Sequence, residues 1–394
     1  MEATRKSVGE WLDAVPRQPK IKRSAYQDSG RYPIVDQSQA DIAGYTDDEA
    51  WLYQGELPVV IFGDHTRVLK FVNFPFCVGA DGTQLLRPVA GNDIRYFYYA
   101  LRNADLANYG YERHFKYLKE EEIPTPPLPL QRRIAGILSA YDELMENSQR
   151  RIRLLEAMAR ALYREWFVHF RFPATAGRPG HEKHPRVASP LGDIPQGWEV
   201  KPLSALCSRM ESGGTPKRKS PEYWADGSID WFKTGELWDG FLFGSEEKIT
   251  ALGQRESNAR IFEPGTILMA IYGSPTVGRL GIVTRPSSCN QAALGLVADK
   301  KQMSQTFLYF VLLSLRDHFN GLAQGAAQQN ISKEKVANAS AIVPPRALVA
   351  AFDKLAEPIF EQVETLQRQV QNLRQTRDLL LPRLLSGQVE LKTN

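Results

Sequence analysis

Residues 126–166 read PPLPLQRRIAGILSAYDELMENSQRRIRLLEAMARALYREW, and residues 344–384 read PPRALVAAFDKLAEPIFEQVETLQRQVQNLRQTRDLLLPRL. The two segments start 218 residues apart, and each begins with a Pro-Pro pair. Apolar positions recur every three or four residues from Ile134 to Trp166, which is the spacing of a coiled-coil seam. The same steps recur from Phe352 to Leu384, so the sequence predicts two long helices with matching apolar seams.

The predicted helices are too long to fit inside one small domain. At 1.5 Å per residue, a helix of about 35 residues is roughly 52 Å long. Two apolar seams bury each other better than either could alone, so we expect the helices to pair as an antiparallel coiled coil. Pro358 stands where the first copy has Ala140, and an interior proline removes a backbone hydrogen bond. We expect the second helix to bend or restart there.

Fainter repeats precede each helix. The aligned pairs are Val60–Gly63 with Ala270–Gly273, Leu85-Leu86 with Gly295-Leu296, and Tyr96–Tyr99 with Phe307–Phe310. These short runs of Val, Ile, Leu, Phe and Tyr predict β-strands. A change of offset along the chain indicates an insertion in the second copy, within Gly321–Asn330.

We therefore expect an α+β fold with two mixed α/β domains, each followed by one long helix. The expected segments are 1–125 (first globular domain), 126–169 (first long helix), 170–197 (a proline-rich linker), 198–342 (second globular domain) and 343–387 (second long helix). Because the helices keep a common register while the globular parts diverge, the scaffold presents two unlike surfaces.

Composition places few further limits on function. The chain has 394 residues, 24% of them charged, and a net charge of +4 that permits but does not establish binding to nucleic acid. Its three cysteines, Cys77, Cys207 and Cys289, are too widely spaced for a disulfide framework or a CxxC metal site. No stretch resembles a secretory signal or a membrane span, and we expect a cytoplasmic protein with no metal of its own.

A scaffold with two unlike surfaces favours a ligand with two half-sites at a set distance. Double-stranded DNA is such a ligand, because its half-sites recur about every 34–36 Å. Lysine and arginine contact phosphates, and arginine and amide side chains read base edges. The DNA-contact candidates are Lys20, Lys22, Arg23, Arg67 and Lys70 in the first half, and Thr215, Lys217, Arg218, Lys219, Trp231, Lys233, Tyr272, Ser274, Arg279, Gln328, Gln329 and Asn330 in the second.

The whole chain resembles the specificity subunit of type I restriction-modification systems. The segments that carry the resemblance are Gly192–Trp198 (GDIPQGW), Gly213–Pro216 (GGTP), Tyr223-Trp224, Ile229–Trp231, Gly235–Leu237 and the two helices with their Pro-Pro starts. The order, duplication and spacing of these short motifs make the match specific. The first half lacks a Gly-Gly-Thr-Pro counterpart, so the start of its recognition domain is not defined by this motif.

The resemblance implies a non-catalytic subunit whose two target-recognition domains read the halves of a split DNA sequence. It also implies that the helices bind two methyltransferase subunits, which restriction subunits join. S-adenosylmethionine, ATP and Mg would then be bound by the partner subunits, with no cofactor on this chain. Candidate contacts for partner proteins are Arg150, Arg153, Arg160, Arg164, Arg368 and Arg374, with Arg377 as a further cation on the second helix.

Two other functions compete with this interpretation. Asn73–Phe76 (NFPF) is one residue away from the tetrad with which adenine methyltransferases hold a flipped base, but no glycine-rich cofactor loop precedes it. A turn at the end of a strand is the better interpretation of these four residues. A coiled-coil scaffold that joins proteins without reading DNA would show the same repeat, but it would have no salt-dependent affinity for DNA.

Overall fold

The structure of the protein is a computed structural model. It describes residues 4–107, 112–174, 184–273, 276–324, 330–389 and 391. The chain divides into two compact units: Met1–Asn147 with Val370–Asn394, and Ser148–Gln369. Each long helix contributes one part to each unit.

The first unit contains short strands, short helices and the start of the first long helix. Its elements are β1 (Arg5–Ser7), α1 (Val8–Trp11), β2 (Tyr32–Val35), β3 (Gly44–Thr46), β4 (Val59–Gly63), β5 (Leu69–Val72), β6 (Cys77–Val78), β7 (Thr83–Leu86), α2 (Ile94–Arg102), α3 (Phe115–Glu120), β8 (Glu122–Pro124) and α4 (Leu128–Tyr163), which continues into the second unit. The strands form sheets in the orders β5-β4-β7, β3-β2-β6 and β1-β8. The β1-β8 ladder is antiparallel, and β8 comes directly before the long helix in the chain.

The second unit is built on a larger sheet. Its elements are β9 (Arg186–Val187), β10 (Ile194–Pro195), β11 (Glu199–Pro202), β12 (Cys207–Ser212), β13 (Ile229–Phe232), β14 (Gly240–Leu242), β15 (Glu247–Ile249), α5 (Ala251–Arg255), β16 (Ile267–Ala270), β17 (Leu280–Val283), β18 (Ser287–Cys289), β19 (Ala293–Ala298), α6 (Gln305–Ser314), α7 (Arg316–Gln324), α8 (Lys333–Asn338), β20 (Ser340–Val343) and α9 (Arg346–Leu385), which continues into the first unit. The strand orders are β12-β19-β16-β17-β14, β15-β13-β18, β11-β20 and β10-β9.

The repeat predicted from sequence is present in the strand pairing of the two units. In the first unit β4 lies between β5 and β7, and in the second β16 lies between β17 and β19, with antiparallel pairing throughout. Each domain ends in an antiparallel ladder, β1-β8 or β11-β20, before its long helix. The second unit adds β12 and β14 at the two edges of its sheet.

Two of the predicted strands are wrong. Tyr96–Tyr99 lies in α2 and Phe307–Phe310 lies in α6. In both helices a polar residue caps the first turn: Asp93 accepts a hydrogen bond from the Tyr96 backbone, and Ser304 accepts one from Phe307. A run of four buried aromatic residues has no period that distinguishes a strand from a buried helix.

The long helices follow the predicted seams. Buried positions recur along α4 at Ile134, Leu138, Met145, Ser148, Ile152 and Ala159, and along α9 at Phe352, Ala356, Val363, Leu366, Val370, Arg377 and Leu384. In the first unit Leu138 shares a core with Leu381 and Leu384, while Asp142, one turn further along α4, pairs with Arg377 of α9. The contacts advance along α4 as they go back along α9, so this part of the pair is antiparallel.

The second unit contains the other ends of the two helices. The Tyr163 ring lies 6.0 Å from that of Phe352, and the Phe167 ring lies 5.2 Å from it. Phe167 packs edge to face with Phe307 of α6, and Phe352 packs edge to face with Phe310, an arrangement that aromatic quadrupoles favour. The α+β fold, with two mixed domains each followed by a long helix and with antiparallel helix pairing, is confirmed.

The prediction that the second helix restarts at Pro358 is wrong. Residues Arg346–Leu385 form one helix without interruption. Pro358 is on the exposed side, where the carbonyl that loses its hydrogen bond to the missing N–H can bond water instead. Arg377, named above as a further candidate for partner contact, is 8% exposed and occupies the seam.

Candidate nucleic-acid interface

Most of the second-half candidates that the structure describes gather at one end of the five-stranded sheet. At this end β12 and β16 finish, while β19, β17 and β14 begin. In sheet order, the segments there are the loop after β12, Gln291 before β19, Tyr272 after β16, Arg279 before β17 and Trp238 before β14. Neighbouring strands are about 4.8 Å apart, so these five segments span about 19 Å. We call this row the sheet end.

The loop that follows β12 depends on two glycines. A Cβ on Gly213 would lie 2.2 Å from the carbonyl oxygen of Cys289, and one on Gly214 would lie 2.3 Å from that of Asn258. Both distances are shorter than any real contact, so the backbone approaches its neighbours as only glycine allows. The Gly-Gly pair thus fixes the start of the cation loop, Thr215–Lys219.

Two tryptophans hold the cation loop from beneath. The buried Trp231 donates its indole N–H to the carbonyl of Gly214 at 2.8 Å, and Trp224 donates to that of Lys217 at 3.1 Å. The Arg218 guanidinium carbon lies 3.9 Å from the Trp224 ring centroid and 4.7 Å from that of Trp231. Trp231 therefore supports the loop from the core, and does not present its ring at the surface.

The cations of this loop, and Lys233, which shares Glu247 with Arg218, differ in how far their charge is compensated. Arg218 pairs with Glu247 and holds the pKa of that carboxyl below its usual value through the hydrogen bond. Lys233 donates to Glu246 at 2.7 Å, and this hydrogen bond raises the pKa of the lysine. Lys217 and Lys219 are exposed, and among the described residues neither forms an ion pair. The net positive charge of the loop is therefore on its two lysines.

Hydrogen bonds through the consecutive residues Gln291 and Ala292 link the cation loop to the end of β16. The Thr215 hydroxyl bonds the Gln291 side chain, and the next residue, Ala292, accepts a hydrogen bond from the Ile271 backbone at 2.8 Å. Tyr272 follows, 40% exposed. Asn330 accepts a hydrogen bond from the Gly273 backbone at 3.0 Å, so its amide oxygen is used in holding the β16–β17 turn.

The first-half candidates have more structural contacts. Lys20 donates to the Thr83 carbonyl at 2.7 Å, at the start of β7, and Arg67 donates to the Leu106 carbonyl at 2.9 Å from the β4–β5 turn. Lys70 is 7% exposed and donates to the Asp36 carbonyl at 2.8 Å; burial lowers its pKa. Lys22 and Arg23 are exposed. These two cations are therefore the most accessible of the set.

Three candidates, Ser274, Gln328 and Gln329, lie outside the described residues. Two residues of the sheet end, Gln291 and Trp238, were not among the candidates. Gln291 comes two residues before a buried strand, a position that counting the strand register could have identified. Trp238 follows a buried leucine in a short loop, and nothing in its local pattern distinguishes it from a core tryptophan.

The candidates for partner contact lie on the exposed faces of the long helices. Arg150, Arg153, Arg160, Arg164, Arg368 and Arg374 are all exposed. In the second unit Arg153, Arg160 and Arg164 line one shallow groove with Glu156, Ala157 and Ala161. Arg368 pairs with Glu364 at 2.7 Å on its own helix. The groove therefore brings together Arg153 and Arg160 of α4 and Arg164 directly after it, and Arg160 pairs with Glu156 at 3.7 Å.

Metal ligands, the three thiols and the Asn73–Phe76 turn bear on other kinds of site. In the part of the chain that the structure covers, no group of His, Cys, Asp or Glu side chains is arranged to hold a metal ion. Burial raises the pKa of Cys77 to about 11 and of Cys207 and Cys289 to about 12, so the thiols stay protonated and unreactive at neutral pH. Asn73–Phe76 links β5 to β6, as a strand-end turn would. Within the described ranges, no helix is both long and apolar enough to cross a membrane.

Comparison with known proteins agrees with the repeat. The family model described as "Type I restriction modification DNA specificity domain" matches residues 6–157 and 195–363. The chain belongs to this family, which confirms the resemblance seen in the sequence.

Two curated relatives and one solved structure illustrate the likeness. The MjaIX specificity subunit of Methanocaldococcus jannaschii is 27% identical over 280 residues, which cover 70% of this chain and 62% of that relative. The HindI specificity subunit of Haemophilus influenzae is 25% identical over 330 residues, covering 70% of each chain. The crystal structure of an S subunit from M. genitalium has a TM-score of 0.60 at 16% identity and covers 97% of this chain and 96% of its own. That structure shares the fold.

Proposed function

We propose that this chain is the DNA-recognition subunit of a type I restriction-modification complex and reads a bipartite, asymmetric target. The observation that carries the proposal is the sheet end, where uncompensated lysines, an amide, a tyrosine and an arginine form one row. Its span of about 19 Å corresponds to between five and six base pairs at about 3.4 Å each. Membership in a DNA specificity family supports the same ligand.

Each half of the chain would read one half of the target. We assign residues 1–125 and 198–342 to the two recognition domains, 170–197 to the linker, and 126–169 and 343–387 to the helices that set the half-site spacing. The proposed contacts to phosphates and bases are Lys22, Arg23 and Arg67 in the first half, and Thr215, Lys217, Arg218, Lys219, Tyr272, Arg279 and Asn330 in the second. The five-stranded second sheet presents a longer edge than its three-stranded counterpart, so the two halves would read unlike sequences.

The catalytic steps would belong to partner subunits. We propose that two methyltransferase subunits dock on the long helices, with the groove formed by Arg153, Arg160 and Arg164 as one contact, and that restriction subunits join them. Three exposed arginines on one helix face fit a partner surface that carries carboxylates. S-adenosylmethionine, ATP and Mg would be bound by those partners, and this chain would be non-catalytic.

The test compares equal charge changes at opposite ends of the sheet. Lys217→Ala with Lys219→Ala removes two cations from the sheet end; Lys300→Ala with Lys301→Ala removes two exposed cations that follow the far end of β19. Log affinity falls as log salt rises, and each phosphate contact adds about 0.9 to the steepness of that fall, which we call the slope. The first double variant should lower the slope of binding to duplex DNA by about 1.8, and the second should leave it near that of the parent.

Two results would contradict the proposal. Equal slopes for both double variants would remove the cation loop from the interface. An absence of salt-dependent DNA affinity in the parent chain would instead favour the alternative function, a coiled-coil scaffold that joins proteins without DNA readout.

A further inference from the structure

Trp238 is the most exposed large apolar side chain in the described part of the molecule, with 71% of its surface in water. It lies before β14, at the opposite edge of the sheet from the cation loop. The Arg279 guanidinium carbon lies 4.4 Å from the centroid of its ring, within cation–π distance. An indole held in water at a fixed place adds nothing to the core, and its ring face and edge are available to a ligand.

The residue after Trp238 is held in an unfavourable conformation. Asp239 has a φ of 62°, a left-handed value that side chains other than glycine rarely adopt. Its backbone N–H donates to the Leu280 carbonyl at 2.8 Å, and its carboxylate accepts from the Leu280 N–H at 2.9 Å. The Tyr309 hydroxyl donates to its carbonyl at 2.7 Å. Strain that the surroundings hold in place in this way is typical of functional sites.

Trp238 and Arg279 together form what we call the platform, and Arg316 joins its two sides. Its guanidinium pairs with the Asp239 carboxylate, beside Trp238, and also donates to the Gly278 carbonyl at 3.0 Å, beside Arg279. The Asp239 carboxylate is thereby neutralised. Among the residues that the structure describes, Arg279 itself forms no ion pair. The platform therefore presents a fixed indole and an uncompensated positive charge.

We propose that Trp238 and Arg279 form the second terminus of the DNA-reading edge, where the indole packs against the wall of a DNA groove and the guanidinium contacts a phosphate. This inference rests on the proposed function. Trp238 and Arg279 occupy adjacent strand starts of the sheet end, in one row with Tyr272, Gln291 and the cation loop. A partner that covers Arg279 must supply an anion, and duplex DNA supplies one about every 3.4 Å along each strand.

The test measures affinity and salt dependence separately, with the full chain and a random-sequence duplex of about 20 base pairs, longer than the sheet end. Arg279→Ala should lower the salt slope by about 0.9, whereas Arg279→Lys should keep it. Trp238→Ala should leave the slope unchanged and weaken binding about tenfold, because burial of an aromatic ring is lost; Trp238→Phe should restore most of the affinity. Matched controls are Arg346→Ala and Leu355→Ala, which remove an exposed cation and an exposed apolar side chain elsewhere in the same unit.

A second measurement locates the contact directly. A duplex that carries bromodeoxyuridine should form a photo-induced cross-link to Trp238, identified by mass spectrometry of the digested complex. Normal parent binding, with the effect of Lys217→Ala and Lys219→Ala intact but none from Trp238→Ala or Arg279→Ala, would overturn this inference alone. Loss of a protein partner without any change in DNA affinity would also overturn it, because the platform would then belong to a protein interface. Failure of the parent chain to bind DNA would overturn the proposed function as well.

Discussion

Trp231 shows how one buried hydrogen bond determines the position of a surface loop. Its indole N–H donates to the Gly214 carbonyl inside the core, whereas the Trp224 N–H donates to Lys217 near the surface. Trp231→Phe keeps an aromatic ring but leaves a buried carbonyl without its donor, which costs about 1–3 kcal/mol. We expect a lower thermal midpoint and weaker DNA binding for this variant. Trp224→Phe is the matched control, and similar losses in the two variants would contradict the assigned role.

Asp353 should make the stability of the second unit depend on pH. Burial raises its carboxyl pKa to about 6, while the Ser304 hydroxyl donates to it at 2.8 Å and Glu357 adds repulsion. The folded state therefore holds this proton more tightly than the unfolded state, and stability falls as pH rises from about 4 through 6. We expect Asp353→Asn to stabilise the protein by about 1 kcal/mol at pH 8, after allowance for solvent screening, and to have little effect near pH 4.

The measurement is the thermal midpoint of the parent and variant chains across that pH range. Asp28→Asn, at an exposed aspartate of the first unit, serves as control and should leave the pH profile unchanged. A constant difference between Asp353→Asn and the parent at every pH would show that the carboxyl does not titrate as assigned.

Sequence could select the residue types of the site but not their exposure. Trp231 and Lys70 have the chemistry of DNA contacts, yet both are buried, because a ring or an alkyl stem can pack inward at any strand position. Trp238 was missed for the converse reason. Its exposure depends on the left-handed Asp239 and on Arg316, 77 residues further along the chain, and no local pattern reports such a contact.

At the scale of elements, predictions were right where the spacing of apolar residues repeats over many turns. The long helices have a seam of many turns, so their type and register could be predicted from the spacing alone. The aromatic runs that were predicted as strands are only four residues each, Tyr96–Tyr99 and Phe307–Phe310. The N-caps Asp93 and Ser304 favour a helix at both places. Strand pairing across distant segments, such as β12 with β19, depends on tertiary contacts that the sequence does not display.

The two helix ends differ in a way that the repeat makes visible. Asp142 and Arg377 form a half-buried ion pair in the first unit, where Tyr99 also donates to Asp142 at 2.5 Å. Subtracting 218 from 377 gives Ala159, and adding 218 to 142 gives Phe360; in the second unit both residues belong to one hydrophobic cluster. The copies therefore use a polar contact at one end and an apolar contact at the other.

This difference predicts unequal effects of single and paired substitutions. Arg377→Ala should cost about 2–3 kcal/mol, less than a fully buried pair because Asp142 keeps a third of its side-chain surface in water. Asp142→Phe combined with Arg377→Ala copies the second unit and should recover most of that loss. Chemical unfolding of the single and double variants measures the coupling, with exposed Arg374→Ala as the control. Additive losses in the double variant would show that the pair is not coupled.

At the scale of the whole molecule, the internal duplication made the architecture predictable, although the sites were not. A shared offset between two copies relates segments more than 200 residues apart without any homologous sequence. The equivalence of β4, β5 and β7 to β16, β17 and β19 follows from it. The extra strands β12 and β14 have no counterpart in the three-stranded sheet, so the offset could not place them.

If the long helices set the distance between two half-sites, lengthening both should lengthen the gap alone. Seven residues keep the heptad register and add about 10.5 Å, or roughly three base pairs. With insertions in both helices, within 145–160 and 363–378, we expect each half-sequence to be retained and the gap to grow by about three. Long-read mapping of methylated adenines, after co-expression with a methyltransferase subunit, measures both. As a control, an insertion in one helix alone misaligns the seams and should abolish modification. An unaltered gap with both insertions would exclude the helices as the determinant of spacing.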